Sequence, residues 1–178
     1  MKDKNYRRPI IRAKWWDYGW NGAYFITICT KNKEHFFGKI KDKKMELSKV
    51  GIIVDELWHQ LPNYRPYLEL EEFVVMPNHI HGIIVIDKPM EISKITEVEE
   101  EINFSKSRFQ NQGKDTISSI LGGFKSGVTK HINRLGLESA WQVRFHDHII
   151  RDEKSYQRIS NYIQTNVENW EEDTFFTP

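Results

Sequence analysis

The chain has 178 residues, 39% of them hydrophobic and 29% charged, with a formal net charge of +1 at neutral pH. That length supports one domain with a sizeable core, and the near-neutral balance excludes a partner captured by bulk charge alone. Aromatic residues reach 13%, six of them Trp, which supplies large core pieces or exposed stacking surfaces.

The charge is unevenly distributed. Lys2, Lys4, Arg7, Arg8, Arg12 and Lys14 stand against Asp3 alone, and Lys31, Lys33, Lys39, Lys41, Lys43 and Lys44 against Glu34 and Asp42, while acids gather at 97–101 and at Glu168, Glu171, Glu172 and Asp173. This segregation is compatible with a basic groove, and equally with solvated charge on a mixed surface. The single Cys29 makes no intrachain disulfide, which fits a reducing compartment. No apolar run reaches membrane-spanning length and the N-terminus is too polar for a signal peptide, so the expected location is cytoplasmic and no membrane partner is expected.

In chain order, residues 1–22 form a basic and aromatic arm. Residues 23–30, Ala-Tyr-Phe-Ile-Thr-Ile-Cys-Thr, read as a strand. A Lys-rich hairpin-like stretch runs to about Leu47. Val50, Ile53, Val54, Leu57, Trp58 and Leu61 fall at helical spacing from Ser48, with Pro62 just beyond. Residues 68–76 and 79–86 are two strands joined at Pro77-Asn78, a turn dipeptide. Residues 87–114 lack periodicity and read as a long surface loop. Residues 116–135 form a helix carrying Gly122, Gly123 and Gly127, whose helical cost points to close backbone approach, of a phosphate chain for example, or to a break. Residues 141–150 are extended, and Asp152 to about Trp170 is a final helix with Asp152 as N-cap. Residues 23–170 make a single domain, followed by an acidic and aromatic tail at 171–178. The order argues for an α+β fold: one antiparallel sheet with helices packed on it.

The chemistry-bearing residues start with His79-Ile80-His81. Residues two apart on a strand share a face, so both imidazoles point one way, and neutral imidazole is a metal ligand. Ile83 stands where a third alternate histidine would fall, excluding a His-x-His-x-His hydrolase. On the last helix, Tyr162 and Asn166 are four apart and share a face, beside an apolar stripe of Tyr156, Ile159, Ile163 and Trp170. Tyrosine serves as a covalent nucleophile when a metal or base helps it, since its ordinary pKa is about 10. Asn166 offers an amide oxygen to a hard cation.

Taken in order, Met76-Pro77-Asn78-His79-Ile80-His81, Phe124-Lys125-Ser126, Trp141-Gln142, residues 145–152 (Phe-His-Asp-His-Ile-Ile-Arg-Asp), and Tyr162-Ile163 with Asn166 resemble the HUH single-tyrosine transposases. Residues 24–30 fit the first strand of that family. The resemblance spans about residues 10–170 and is greatest to the bacterial REP-associated tyrosine transposases, relatives of insertion-sequence transposases. It implies a ferredoxin/RRM-like, HUH-type nuclease fold. It also implies nicking and rejoining of single-stranded DNA bearing hairpins or palindromic repeats, through a 5′-phosphotyrosine. Carried over, Tyr162 is the nucleophile and His79, His81 and Asn166 hold a divalent metal. The softness of the donors suits zinc or manganese as well as magnesium; the resemblance implies magnesium or manganese. Relatives act as monomers or as homodimers that exchange the tyrosine helix.

Tyr156 is the rival nucleophile, with the poorer ligand Ser160 four later. His146 and His148 form a second His-x-His, read as turn or sheet residues, with DNA contact or metal binding the lesser reading. His35, His59 and His131 carry no usable signal. Arg12, Lys14, Lys125, Lys130, Arg144 and Arg151 are candidate DNA contacts, as is Arg134, against the plainer reading of solvated charge. Trp15 and Trp16 are candidates to stack on a base or to pack the arm on the domain. Two rivals remain: a non-catalytic module of the same fold that binds structured DNA or RNA, and a zinc-stabilised structural domain.

Overall fold

The computed structural model describes residues 19–89, 113 and 115–177. Residues 1–18 of the arm expected at 1–22, with Arg12, Lys14, Trp15 and Trp16, and most of the loop expected at 87–114 lie outside the described residues. The described residues form six strands: β1 (Gly22–Cys29), β2 (Gly38–Lys41), β3 (Lys44–Leu47), β4 (Leu68–Val75), β5 (His79–Ile86) and β6 (His146–Ile150). The helices are α1 (Lys49–His59), the short α2 (Leu61–Tyr64), α3 (Ile117–Arg134) and α4 (Glu153–Thr165). Four strands form one sheet in the order β4-β5-β1-β6, every neighbouring pair antiparallel. β2 and β3 make a separate hairpin. Leaving that hairpin and α2 aside, the path β1-α1-β4-β5-α3-β6 is the split βαβ arrangement of ferredoxin-like folds, the α+β single-sheet class expected from the sequence.

Side-chain alternation divides the sheet into two working faces. Tyr24, Ile26 and Ile28 of β1 and Ile80, Ile84 and Ile86 of β5 are fully buried against α1 and α3, whose Val54, Trp58, Ile120, Leu121, Phe124 and Val128 form the main core. On the other face Ile83 packs with Ile159 and Ile163 of α4, alongside Phe25, Val74, Val85 and Ile150. Gly82 lies between these layers. A Cβ there would run into the fully buried Trp58 ring, which stacks on Phe73 at 4.6 Å. Glycine is thus required by the close approach of an indole to the strand.

The helices begin where the sequence says they should. Ser48 accepts from the Gly51 amide, Thr116 and Ser119 form a reciprocal capping box, and Asp152 accepts from the Ser155 amide. Three expectations change. The last helix ends at Thr165 instead of continuing to Trp170; Asn166 caps it, and a 3-10 turn follows at Trp170–Glu172, keeping Trp170 buried. The extended run from Trp141 is a strand only from His146, with Trp141 making an isolated bridge to Thr30. Finally, α3 runs unbroken through its glycines, and a Cβ at Gly122 or Gly127 would meet nothing within 4 Å. No close packing within the described residues explains those two.

Candidate metal and tyrosine site

His79 and His81 project from β5 onto the α4 face of the sheet, as strand periodicity requires. Both are buried, with ring centroids 4.4 Å apart. His81 lies opposite Thr27 of β1, and its Nδ1 is 2.8 Å from the Thr27 hydroxyl. Phe25 stacks on the same ring at 5.2 Å. His79 Nδ1 is 2.8 Å from Asn78 Oδ1. In each ring Nδ1 is engaged by a neighbouring side chain, which leaves Nε2 as the open nitrogen, the arrangement that orients metal-ligating histidines.

Helix α4 delivers the other two residues from the same chain. Tyr162 Oη is 3.1 Å from His81 Nε2. Its hydroxyl donates to Asp173 Oδ2 at 2.8 Å, and Asn166 Nδ2 donates to the same oxygen at 2.8 Å. With its NH₂ turned to Asp173, Asn166 presents Oδ1 the other way. Among the described residues, that oxygen and His79 Nε2 are both buried without a hydrogen-bond partner. A buried acceptor normally finds a donor, so an open lone pair on each fits a cation. The ligand atoms of His79, His81 and Asp173 also lie within 4.8 Å of one another, a group able to hold a metal ion. Two neutral nitrogens, an amide oxygen and a carboxylate match a divalent transition ion or magnesium by donor type.

The electrostatics keep these donors ready. Burial pushes the His79 imidazole well below its ordinary pKa, and the nearby His81 adds to the effect. Burial likewise lowers His81 to about 4, although the Asp173 carboxylate works in the opposite direction. Both rings are therefore neutral at pH 7, the form that binds metal. Burial works to raise the Asp173 carboxyl, but hydrogen bonds from Asn166, the Phe175 amide and Tyr162 outweigh it and keep the pKa below the ordinary value. Burial, and then Asp173, raise the Tyr162 phenol, so the tyrosine holds its proton until something at the site stabilises the phenolate.

The C-terminal segment belongs to this site. Phe175 packs on His79 at 4.8 Å and His81 at 5.9 Å between ring centroids. Residues 171–178, an acidic and aromatic tail by composition, thus contribute Asp173 to the site, and the turn residue Asn78 contacts His79. Asp173 is seven residues past Asn166, across a helix end and a 3-10 turn, so no helical or strand period relates them.

The other candidates are placed elsewhere. The Tyr156 hydroxyl is hydrogen-bonded to the Glu71 and Glu72 carboxylates of β4, at 3.1 and 3.2 Å. Lys125 sits on α3, across the sheet from the histidines. Its ammonium donates to the Gln142 and Val143 carbonyls at 2.7 and 3.2 Å and lies over the Trp141 ring. Lys130 and Arg134 line a surface depression on α3 with Ser126, Thr129 and Asn133. Arg144 and Arg151 are exposed on either side of β6. His146 and His148 are exposed on that edge strand, on the site face, paired with Thr27 and Phe25. Among the described residues, no helix is long and apolar enough to cross a membrane.

Fold and site together define a split-βαβ domain with a buried histidine pair and, beside it, a solvent-exposed tyrosine. No protein-family model matches the sequence. An uncharacterized protein of Haemophilus influenzae is 40% identical over 177 residues, covering 96% of this chain and 94% of that one, and the two belong to one family. A protein of Escherichia coli K12 named REP-associated tyrosine transposase is 24% identical over 179 residues, covering 96% of this chain and 81% of that protein. A solved structure of a REP-associated tyrosine transposase bound to a REP hairpin aligns with a TM-score of 0.55 at 21% identity, over 96% of this chain and 74% of that one. The chain thus resembles the REP-associated tyrosine transposases in sequence and shares their fold.

Proposed function

We propose that this protein is a transposase-like strand transferase that nicks and rejoins single-stranded, hairpin-bearing DNA through a 5′-phosphotyrosine at Tyr162. The observation that carries the reading is that Tyr162 Oη lies 3.1 Å from His81 Nε2 and donates to Asp173, whose ligand atom lies within 4.8 Å of those of His79 and His81 and which Asn166 also engages. His79, His81 and Asn166 would hold magnesium or manganese, with Asp173 beside them. When bound, the ion supplies Lewis-acid stabilisation of charge on a phosphate and orients it.

Tyr162 Oη forms the new bond to phosphorus while the bond from phosphorus to the 3′ oxygen breaks. The 5′ phosphate stays on the tyrosine, and the 3′ oxygen leaves as a hydroxyl, so the phenolic proton is accounted for. Attack by another 3′-hydroxyl reverses these bonds, returns the proton to Tyr162 and joins the strands without external energy. Asp173 Oδ2 holds the phenolic hydrogen bond before attack. One chain completes the site, so a second copy is not needed to bring the tyrosine to the histidines. Arg144 and Arg151 flank the site-face edge strand, where they can contact phosphates. Lys125 and Lys130 would do so only across the sheet, and Arg12 and Lys14 remain proposed contacts in the arm.

One observation favours a second reading, the non-catalytic module that binds structured DNA or RNA. Phe175 covers His79 and Asp173 engages the nucleophile. A single pair of proteins separates the two. Wild type and Tyr162→Phe are incubated with manganese and a panel of hairpin-bearing single-stranded oligonucleotides. The strand-transferase reading expects a covalent adduct with wild type only, and equal binding by both. Binding without an adduct across the panel supports the module and refutes the enzyme.

A further inference from the structure

Asn78 is fully buried at the turn before the first histidine, and every atom of its amide is committed. Its Nδ2 faces the Phe175 carbonyl at 2.9 Å, the Lys33 carbonyl at 3.2 Å and the Thr177 hydroxyl at 3.3 Å. Carbonyl oxygens only accept, so the amide NH₂ must face them and Oδ1 must face His79. Oδ1 in turn only accepts, and it lies 2.8 Å from His79 Nδ1. The hydrogen of that contact therefore belongs to the imidazole. A neutral imidazole carries one N–H, so His79 Nε2 is bare, the atom buried without a partner on the site side. His81 differs, because the Thr27 hydroxyl opposite its Nδ1 can donate or accept and does not dictate a tautomer.

We infer that Asn78 is the positioning residue of this centre. Anchored by the backbone of Phe175 and the hydroxyl of Thr177, it locks His79 as the Nδ1–H tautomer so that Nε2 presents its lone pair to a divalent cation. Phe175 and Thr177 thereby set the state of His79 through Asn78. The inference rests on the reading of His79 as a ligand under the proposed function, but its primary readout needs neither DNA nor metal.

Long-range proton–nitrogen correlation spectra of the full chain at pH 7 assign the protonated nitrogen of His79, with His79→Ala fixing the assignment. The expected result in wild type is a proton on Nδ1 and a bare Nε2. In Asn78→Ala the His79 signals shift toward a mixture of tautomers, and manganese affinity, read by electron paramagnetic resonance of the free ion, falls about 10- to 100-fold, the usual loss for a partner of a ligating imidazole. A proton on Nε2 in wild type overturns the inference, even if Asn78→Ala does not fold. So does a variant that folds with tautomer and affinity unchanged. Failure of the proposed reaction looks different: the tautomer is as stated and manganese binds, yet no Tyr162 adduct forms.

Discussion

The buried histidines should make the fold sensitive to mild acid, by an amount the structure sets. In the unfolded chain His81 takes up a proton near pH 6.5, whereas in the fold burial holds it neutral down to about 4. Between those values unfolding is accompanied by proton uptake, so stability is fully present above pH 6.5 and is lost as the pH falls toward 4. Each pH unit across the window costs up to about 1.4 kcal/mol, so His81 alone removes about 2 kcal/mol by pH 5 and about 3 kcal/mol by pH 4. His79, lowered in the same direction by burial and by His81, steepens the loss. Urea unfolding measured from pH 7.5 to 4.5 for wild type and His81→Gln reads the His81 contribution together with the part of the His79 shift that His81 causes. The wild-type curve should fall more steeply by about 2 kcal/mol at pH 5. Parallel curves, or a wild type relatively more stable in acid, would show that His81 is not held neutral and would refute the account.

Four further outcomes follow from the structure. Manganese at about 100 times its dissociation constant should stabilise the fold by about 2.7 kcal/mol, a rise of roughly 5–10 °C in the unfolding midpoint. Chelator should leave the apo protein folded, because its main core is complete without a metal, and unfolding by chelator would favour the zinc-stabilised alternative. Asp173→Asn keeps the shape but removes the charge beside His79 and His81, and manganese affinity measured by titration calorimetry should drop about tenfold, as for loss of a metal-centre partner; tighter binding would show that the carboxylate obstructs the centre. Gly82→Ala should cost about 1–3 kcal/mol in urea unfolding, because the Trp58 ring cannot retreat from a new Cβ, and a neutral result would mean that the core beneath the histidine strand is looser than described.

Local pattern carried much of this protein. The β-branched run from Val74 to Ile86 fixed the hairpin, and with it the common face of His79 and His81, because a strand's period of two leaves no other choice. Ser48, Thr116 and Asp152 marked the helix starts because their side chains satisfy orphan amides locally. Tyr162 and Asn166 were legible as a pair by helical spacing, and their roles only through the resemblance. The glycines of α3 mark no break, because helix propensity is a weak prior that tertiary packing overrides; the helix runs through them.

The sequence by itself determined the α+β class, the histidine face and the tyrosine helix, all of them consequences of interactions within a few residues along the chain. Only the tertiary structure decided that Asp173 lies against Tyr162 and Asn166, that Phe175 packs on His79 and that Asn78 is held by the Phe175 carbonyl. Asn78 meets the Phe175 carbonyl across 97 residues of sequence, and Asp173 reaches Tyr162 only after the chain leaves α4 through a 3-10 turn. No periodicity relates such residues. Their contact follows from the antiparallel sheet and the C-terminal turn bringing distant backbone together, where buried polar groups must find one another.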